Sequence, residues 1–315
     1  MSDNVTIKFH LFNPRTSQFD EIYDLTGNFT VGDLAREMFV RDISLSDKAY
    51  EYGNILVSNS YPSSRISMTV SEKGGSRTAR MQKYRDLIGV LSDLNRPVGV
   101  QQFQNTYLLA AFSDEQSPDA TDPAGWGAAT QLYRRVAVSG GVQDRYIGAD
   151  TFPLELVCID PCAFTNPYDP RNRVSQDIDG TSSLNAGRAG SAVSHPYIQL
   201  SVTAAGAGDI VVALKMTMLK NGYLYGDERC TITLEGPSSS SVDKVAFVYF
   251  DSYRRRLRAS AAYEGRLKDI AASMSLDSTW LDLPPFTSCN IDIDPDACQN
   301  VSKVTASVGI MRRWL

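Results

Sequence analysis

Apolar and polar residues alternate at a period of two along most of this chain, which is the signature of strands with one buried face. In the first run Val5, Ile7, Phe9 and Leu11 share one side, Thr6, Lys8 and His10 share the other, and Asn13-Pro14 closes it. Ile55-Leu56-Val57, then Ile66, Met68 and Val70, predict two further strands, and residues 107–112 and 132–138 continue the series. Phe152, Leu154, Leu156 and Cys158 form another such face. Helical spacing occurs twice. Thr30-Val31-Gly32-Asp33 has the form of a capping box and predicts a short helix through Leu34, Met38 and Phe39. Met81, Tyr84, Leu87, Ile88, Leu91 and Leu94 predict one long helix from about Thr78, which Pro97 stops.

Between these elements, residues 71–76, with Gly74-Gly75, and the polar stretch 113–127, rich in Pro, Asp and Gly, predict loops. Residues 166–196 show almost no apolar periodicity and are dense in Gly, Ser, Asn, Asp and Pro, so they predict a linker or long loop. Beyond it come short strands at 198–202, 210–219, 230–234, 245–250 and 304–310, with turn signals at Gly206-Ala207-Gly208 and Asn221-Gly222. That spacing predicts an all-β sandwich. The expected organisation is therefore a mainly β first domain with one packed helix at 1–165, a linker at 166–196 and a β-sandwich domain at 197–315.

A chain of 315 residues is long enough for two cores, which agrees with this division. A formal net charge of −5 argues against a broad basic face that grips nucleic-acid phosphates. The N-terminus lacks a basic segment followed by an apolar run, and no span of about 20 apolar residues occurs, so no signal peptide or membrane insertion is expected. Five cysteines, Cys158, Cys162, Cys230, Cys289 and Cys298, are expected to be reduced and buried.

Candidate chemistry is sparse. The two histidines, His10 on a polar strand face and His195 in the expected linker, have no motif around them that would make a general base. The chain has no nucleophile elbow, phosphate-binding loop, dinucleotide fingerprint or zinc-protease motif, so no catalytic residue and no cofactor is predicted. The cysteine spacings fit no standard zinc knuckle. Asp292, Asp294 and Asp296 could offer oxygen ligands to calcium, but Ala297 and Lys303 stand where that loop needs Gly and Glu, and a solvated turn is the simpler reading. Arg254, Arg255, Arg256 and Arg258 are expected to divide their charge between opposite faces of an extended segment. Tyr61, Trp126 and Tyr168, in Tyr- and Pro-containing loops, are candidates for an interface or sugar-stacking set.

Two stretches are more specific. Asp277-Ser278-Thr279-Trp280-Leu281-Asp282-Leu283-Pro284-Pro285 precedes a short strand at Asn290-Ile291, and the chain ends in an apolar strand closing on Arg312-Arg313-Trp314-Leu315. This resembles the ending of the distal tail proteins of long-tailed bacteriophages. There an aromatic and a Leu-Pro-Pro turn lead through an Asn-x-Ile strand to a final strand with arginine and an aromatic. The helix at 81–94 and the strand at 152–161, ending Asp160-Pro161, are similar to that family's tube-like domain. Phe286 stands where a glycine usually follows the two prolines, and Ile310-Met311 where Trp-Arg is usual.

The resemblance implies a tail-tube-like β-sandwich or barrel followed by a galectin-like β-sandwich. It also implies a hexameric ring joining the tail-tube protein to the tail-tip hub protein, with DNA passing through but not bound specifically. The protein would be made in the bacterial host cytoplasm and reside in the virion, with receptor-binding proteins or host glycan as further partners. Trp280, Leu281, Leu283, Pro284, Pro285 and Trp314 would be structural, the three large side chains near 280 burying into the sandwich while the prolines send the next strand to the other sheet. Two other classes stay open, a carbohydrate-binding module for host-surface recognition and a glycan-processing enzyme with paired carboxylates. An unrelated viral capsid sandwich is a fourth.

Overall fold

The computed structural model describes residues 5–13, 18–37, 42–47, 54–60, 64–95, 108–116, 130–139, 151–236, 245–261 and 268–314. It is mainly β and divides into two compact units, the first from residues 5–116 and 131–163, the second from residues 164–314.

The first unit contains β1 (Ile7–Asn13), β2 (Gln18–Asp24), the single-turn helix α1 (Leu25–Asn28), β3 (Phe29–Arg36), β4 (Asp42–Asp47), β5 (Asn54–Ser60) and β6 (Arg65–Glu72). Helix α2 (Arg77–Asn95), β7 (Leu108–Gln116), β8 (Gln131–Val138) and β9 (Thr151–Thr165) follow. Seven strands join in the order β2-β1-β7-β8-β9-β6-β3, and β4 pairs β5 separately. Period-two burial does what the sequence asks: Ile66, Met68 and Val70 of β6 and Phe152, Leu154, Leu156 and Cys158 of β9 are all buried, and the two strands pair in register. Helix α2 covers this face with Tyr84, Leu87 and Leu91. The Tyr84 ring meets Phe152 edge-on at 5.2 Å, and Phe29 meets the same ring at 5.8 Å.

Two local expectations are overturned here. The capping-box segment is not a helix: Thr30 to Asp33 lies inside β3, where a register shift between Gly32 and Ala35 puts Asp33 at φ 49° and its carboxylate accepts from the Thr69 hydroxyl. Pairing with β6 buries more of this segment than an isolated turn could, so tertiary context overrides the cap signal. His10 is not on a solvated face either. A bulge between Phe9 and His10 in the pairing with β2 turns His10 inward, against the ring of Tyr133 at 5.2 Å. Burial lowers its pKa from the ordinary value, so it sits neutral in the core. Residues 113–116, expected as the start of a loop, extend β7, while 117–129 and Pro97 lie outside the described residues.

The second unit is a sandwich. Its elements are β10 (Arg173–Ile178), β11 (Leu184–Arg188), β12 (Ala192–Ala204), β13 (Ile210–Lys220), β14 (Tyr223–Leu234), β15 (Val245–Asp251), β16 (Arg256–Ala261), β17 (Lys268–Asp269), β18 (Ser288–Ile293) and β19 (Val301–Trp314). One sheet runs β10-β19-β12-β15-β16-β17 and the other β11-β18-β13-β14. Between them lie Ile198, Leu200, Val202, Val212, Leu214, Met216, Val248, Phe250 and Ile291, all buried. The final strand ties the C-terminus in as its alternation requires, with Val304, Ala306, Val308 and Ile310 buried. Asn221 and Gly222 both take positive φ, 52° and 83°, as a two-residue hairpin of that composition demands.

Residues 166–196 are not a linker. They carry a 3-10 turn at Pro170–Asn172, then β10 on β19, β11 on β18 and the start of β12. The stretch lacks an apolar stripe because β10 buries only Ile178 and β11 does its packing with Leu184, Ala186 and Gly187. Gly309 is what lets the segment lie down: a Cβ there would stand 2.3 Å from the Pro167 carbonyl oxygen.

Candidate functional site

The constellation that the sequence singles out is built entirely within the second unit, around the stretch from Met274 to Thr287. This stretch first follows the outer edge of β14. Ser275 N–H donates to Thr231 O (2.9 Å), Thr231 N–H to Ser278 Oγ (2.9 Å) and Thr279 N–H to Arg229 O (2.8 Å). It then crosses to β12, where Leu283 and Ser194 exchange both backbone bonds at 2.9 Å. Beyond the prolines Phe286 N–H donates to Gly190 O, Ala189 N–H donates to Thr287 O, and the chain enters β18, back in the sheet that holds β14. The Leu-Pro-Pro turn thus straps the two sheets together. Proline lacks the N–H that a continuing ladder would use, so the path cannot extend along β12.

Leu281 and Leu283 are completely buried, while Trp280 is half-buried, tilted over Phe250 at 5.3 Å with the Arg255 guanidinium 5.8 Å from its ring centre. Pro284 and Pro285 are half-buried, and so is Trp314 at the end of β19. Leu281 at φ 54° and Phe286 at φ 60° both occupy the left-handed region. The second explains why glycine suits the position after the prolines; Phe286 takes it with its ring 46% exposed and Arg188 above it.

Between the two leucines, Asp282 is the hub. Its Oδ1 lies 2.9 Å from His195 Nδ1 and 2.7 Å from Ser252 Oγ, which is also in contact with the Trp280 carbonyl, and Arg255 donates to Oδ2. Burial alone would raise the Asp282 pKa, but the hydrogen bonds from His195, Arg255 and Ser252 outweigh it and hold the carboxyl down to about 2. His195, which the sequence places in a linker, is in β12 and 9% exposed, its ring 5.3 Å from that of Tyr253. Serine, aspartate and histidine together invite a triad reading, and the connectivity rejects it. A nucleophilic serine must give its proton to the imidazole, whereas here serine and histidine both bind one carboxylate. Asp282 ties β12 and the turn after β15 to the strap. Sequence reasoning missed this hub because His195, Ser252 and Arg255 stand 87, 30 and 27 residues from Asp282 and carry no motif; only the LDLPP context marked the place.

The other sequence candidates fall as follows. Tyr61 and Trp126 lie outside the described residues. Tyr168 offers no stacking face: it is 1% exposed, its hydroxyl donates to Asp251 at 2.8 Å and its ring packs on Tyr197 at 4.9 Å. Among the described residues the two most exposed aromatics are instead at the tip of the β13–β14 hairpin, where Tyr223 is 79% and Tyr225 54% exposed, with Leu224 67% exposed between them. All five cysteines are free thiols; four are buried and Cys298 is half-buried. Asp292 and Asp294 are engaged, the first by Gly180 and Ile293 N–H and the second by Arg229, in a turn that reverses the chain before β19. Among the described residues no three His, Cys, Asp or Glu side chains could hold a metal together, and no helix is long and apolar enough to cross a membrane.

No family model and no curated protein sequence matches this chain. Solved structures do. Two chains from the phage P2 baseplate in its activated conformation match with TM-scores of 0.53, in the form with calcium, and 0.50, in the form with strontium. Identity is 9% in both, over 98% and 96% of this chain and 98% and 97% of those chains. The architecture is therefore that of phage baseplate proteins. More particularly it is the Dit fold: the SPP1 Dit protein (gp 19.1), described as a paradigm of hub adsorption apparatus in phages infecting Gram-positive bacteria, matches with a TM-score of 0.54 at 16% identity over 99% of both chains.

Proposed function

We propose that this chain is a structural component of a bacteriophage tail tip, not an enzyme, and that it works as a ring of six copies between the tail-tube protein and the tail-tip hub protein. The observation that carries this reading is the likeness to SPP1 Dit across 99% of both chains, which leaves no large part of either unaccounted for. The first unit forms the ring, and the second has receptor-binding proteins as its neighbours. A net charge of −5 suits a channel through which DNA slides without being held. Stable ring contacts bury roughly 2,000 Å² or more each.

Light scattering of the purified protein over a range of concentrations tests this. The expected outcome is a species of six times the 34.6 kDa chain mass, or a monomer that climbs toward it as concentration rises, with rings visible by negative-stain microscopy. A strict monomer that forms no ring with tail-tube or hub protein present would defeat it. A second reading, recognition of host-surface carbohydrate by the second unit, is favoured by half-buried aromatic and polar side chains shared on one outer sheet face, Tyr249 and Phe247 of β15 beside Gln199 and Ser201 of β12.

A further inference from the structure

The arginines after β15 do not divide their charge as an extended segment would. Arg254 is nearly buried and faces Asp251, and Arg255 is spent on Asp282. Arg256 and Arg258 lie two apart on β16 and so share one face, opposite Asp251 and Tyr249 of β15. Those two stand opposite Tyr197 and Gln199 of β12, which in turn oppose Gly309 and Ser307 of β19, then Arg173 and Ser175 of β10. Two parallel rows therefore cross five strands; Tyr168 covers Asp251 and Tyr197 of the first, and in the second Tyr249 stands between Arg258 and Gln199, whose Oε1 accepts from Arg173 at 3.1 Å.

The two nearest carboxylates are already committed. Asp251 accepts from the Tyr168 hydroxyl and the Arg254 N–H, and Asp269 accepts from the Ala271 N–H. Among the described residues no carboxylate comes within ion-pair distance of Arg173, Arg256 or Arg258. Burial pushes Arg173 and Arg256 below the ordinary arginine value, and the charges of Arg258 and Arg254 push Arg256 further down. Arg173 is spent on the Pro167 and Tyr168 carbonyls and on Gln199, so the chain of net charge −5 keeps two guanidinium groups without an ion pair beside Tyr249, Arg256 and Arg258, the latter opposite Asp269 of β17.

Uncompensated, partly desolvated arginines are complementary to an oxyanion, which guanidinium grips through paired N–H donors. The surroundings specify the rest of the ligand. Tyr249 and Phe247 are half-buried on one face of β15, about 7 Å apart at strand spacing, which is the scale of a sugar ring. Gln199, Ser201, Ser307 and Ser175 supply hydroxyl and amide partners on the same face. A flat sheet face offers no free edge for a peptide to join by strand addition.

We propose that this face binds an acidic saccharide, its carboxylate held by Arg256 and Arg258 and its ring stacked on Tyr249. The proposal rests on the carbohydrate reading of the second unit and is independent of the ring. Calorimetric titration of the full chain at low salt tests it with four probes: tetragalacturonate, a glycerol-phosphate oligomer, neutral maltotetraose and inorganic phosphate.

Binding of tetragalacturonate is expected, at least about tenfold tighter than that of maltotetraose, the glycerol-phosphate oligomer or phosphate. Arg256→Gln, Arg258→Gln and Tyr249→Ala should each weaken it about tenfold while leaving the thermal midpoint unchanged. Binding of the glycerol-phosphate oligomer as tight as that of tetragalacturonate would overturn the saccharide, because that oligomer has no sugar ring to stack on Tyr249. Equal binding of maltotetraose, unaffected by the arginine variants, would overturn the acidic ligand but leave the carbohydrate reading standing. Binding of phosphate alone as tight as the oligomers, or indifference to Tyr249→Ala, would reduce the face to a general anion patch and overturn the saccharide. No binding of any probe at about 10 mM would sink both readings.

Discussion

Asp282 shows how one side chain can fasten a fold. Its pKa is lowered to about 2 on folding, so the folded chain holds that proton less tightly than the unfolded chain does. The stabilisation is complete above the ordinary carboxylate pKa of about 3.9, and it is lost as the pH falls from there through the folded value near 2. The shift corresponds to about 2 kcal/mol. Asp282→Asn should therefore cost about 2 kcal/mol at pH 7 and flatten the fall in stability between about pH 4 and pH 2, as read by urea denaturation across that range. A variant that loses stability by the same amount at every pH would show that the carboxylate is not ionised in the hub. Backbone closeness is as demanding as charge. At Gly309 an added methyl would meet the Pro167 carbonyl oxygen at 2.3 Å, backbone against backbone, with no flexible side chain to yield. Gly309→Ala should cost about 3 kcal/mol by the same denaturation measurement, although alanine is ordinarily the better strand residue.

At the scale of elements, what burial dictates was legible and what pairing dictates was not. Strand β6, β9 over 152–158 and β19 over 304–308 bury every second residue, and helix α2 buries Tyr84, Leu87 and Leu91 at helical spacing, so their periods show in the sequence. The capping-box pattern at Thr30 misleads because it is a local signal overridden by the β6 ladder, and the bulge that turns His10 inward has no composition signature. Residues 166–196 hide their strands because β10 and β11 contribute few large apolar side chains and depend on β19 and β18 for their backbone bonds. The LDLPP motif marked the strap, yet not His195 or Ser252, which reach it through the tertiary fold alone. The β13–β14 hairpin is the converse case, an element whose tip is apolar without being buried. Tyr223, Leu224 and Tyr225 contribute little to the sandwich core, so replacing all three with serine should change the unfolding free energy of the chain by less than about 0.5 kcal/mol per site. A larger loss in the isolated chain would mean that the tip supports the fold, and its exposure could not then be assigned to contact with other molecules.

The whole molecule has two cores that share no residue. One gathers apolar side chains from Ile7 to Cys158, the other from Ile178 to Ile310. A stretch of about 150 residues can bury enough surface to be stable by itself, so each core is large enough to melt as its own unit. Calorimetry of the full chain should show two transitions, and single core substitutions should assign them. Val70→Ala removes two methyl groups from the fully buried face of β6 and should lower only the first unit's transition. Leu283→Ala hollows the strap between the sheets of the second unit, should cost about 3 kcal/mol, and should lower only the other transition. One cooperative transition that both substitutions shift equally would mean that the units fold as a single body. The distinction matters for a ring: if the units melt separately, substitutions in the second unit's outer face can be read for binding without disturbing the part that assembles.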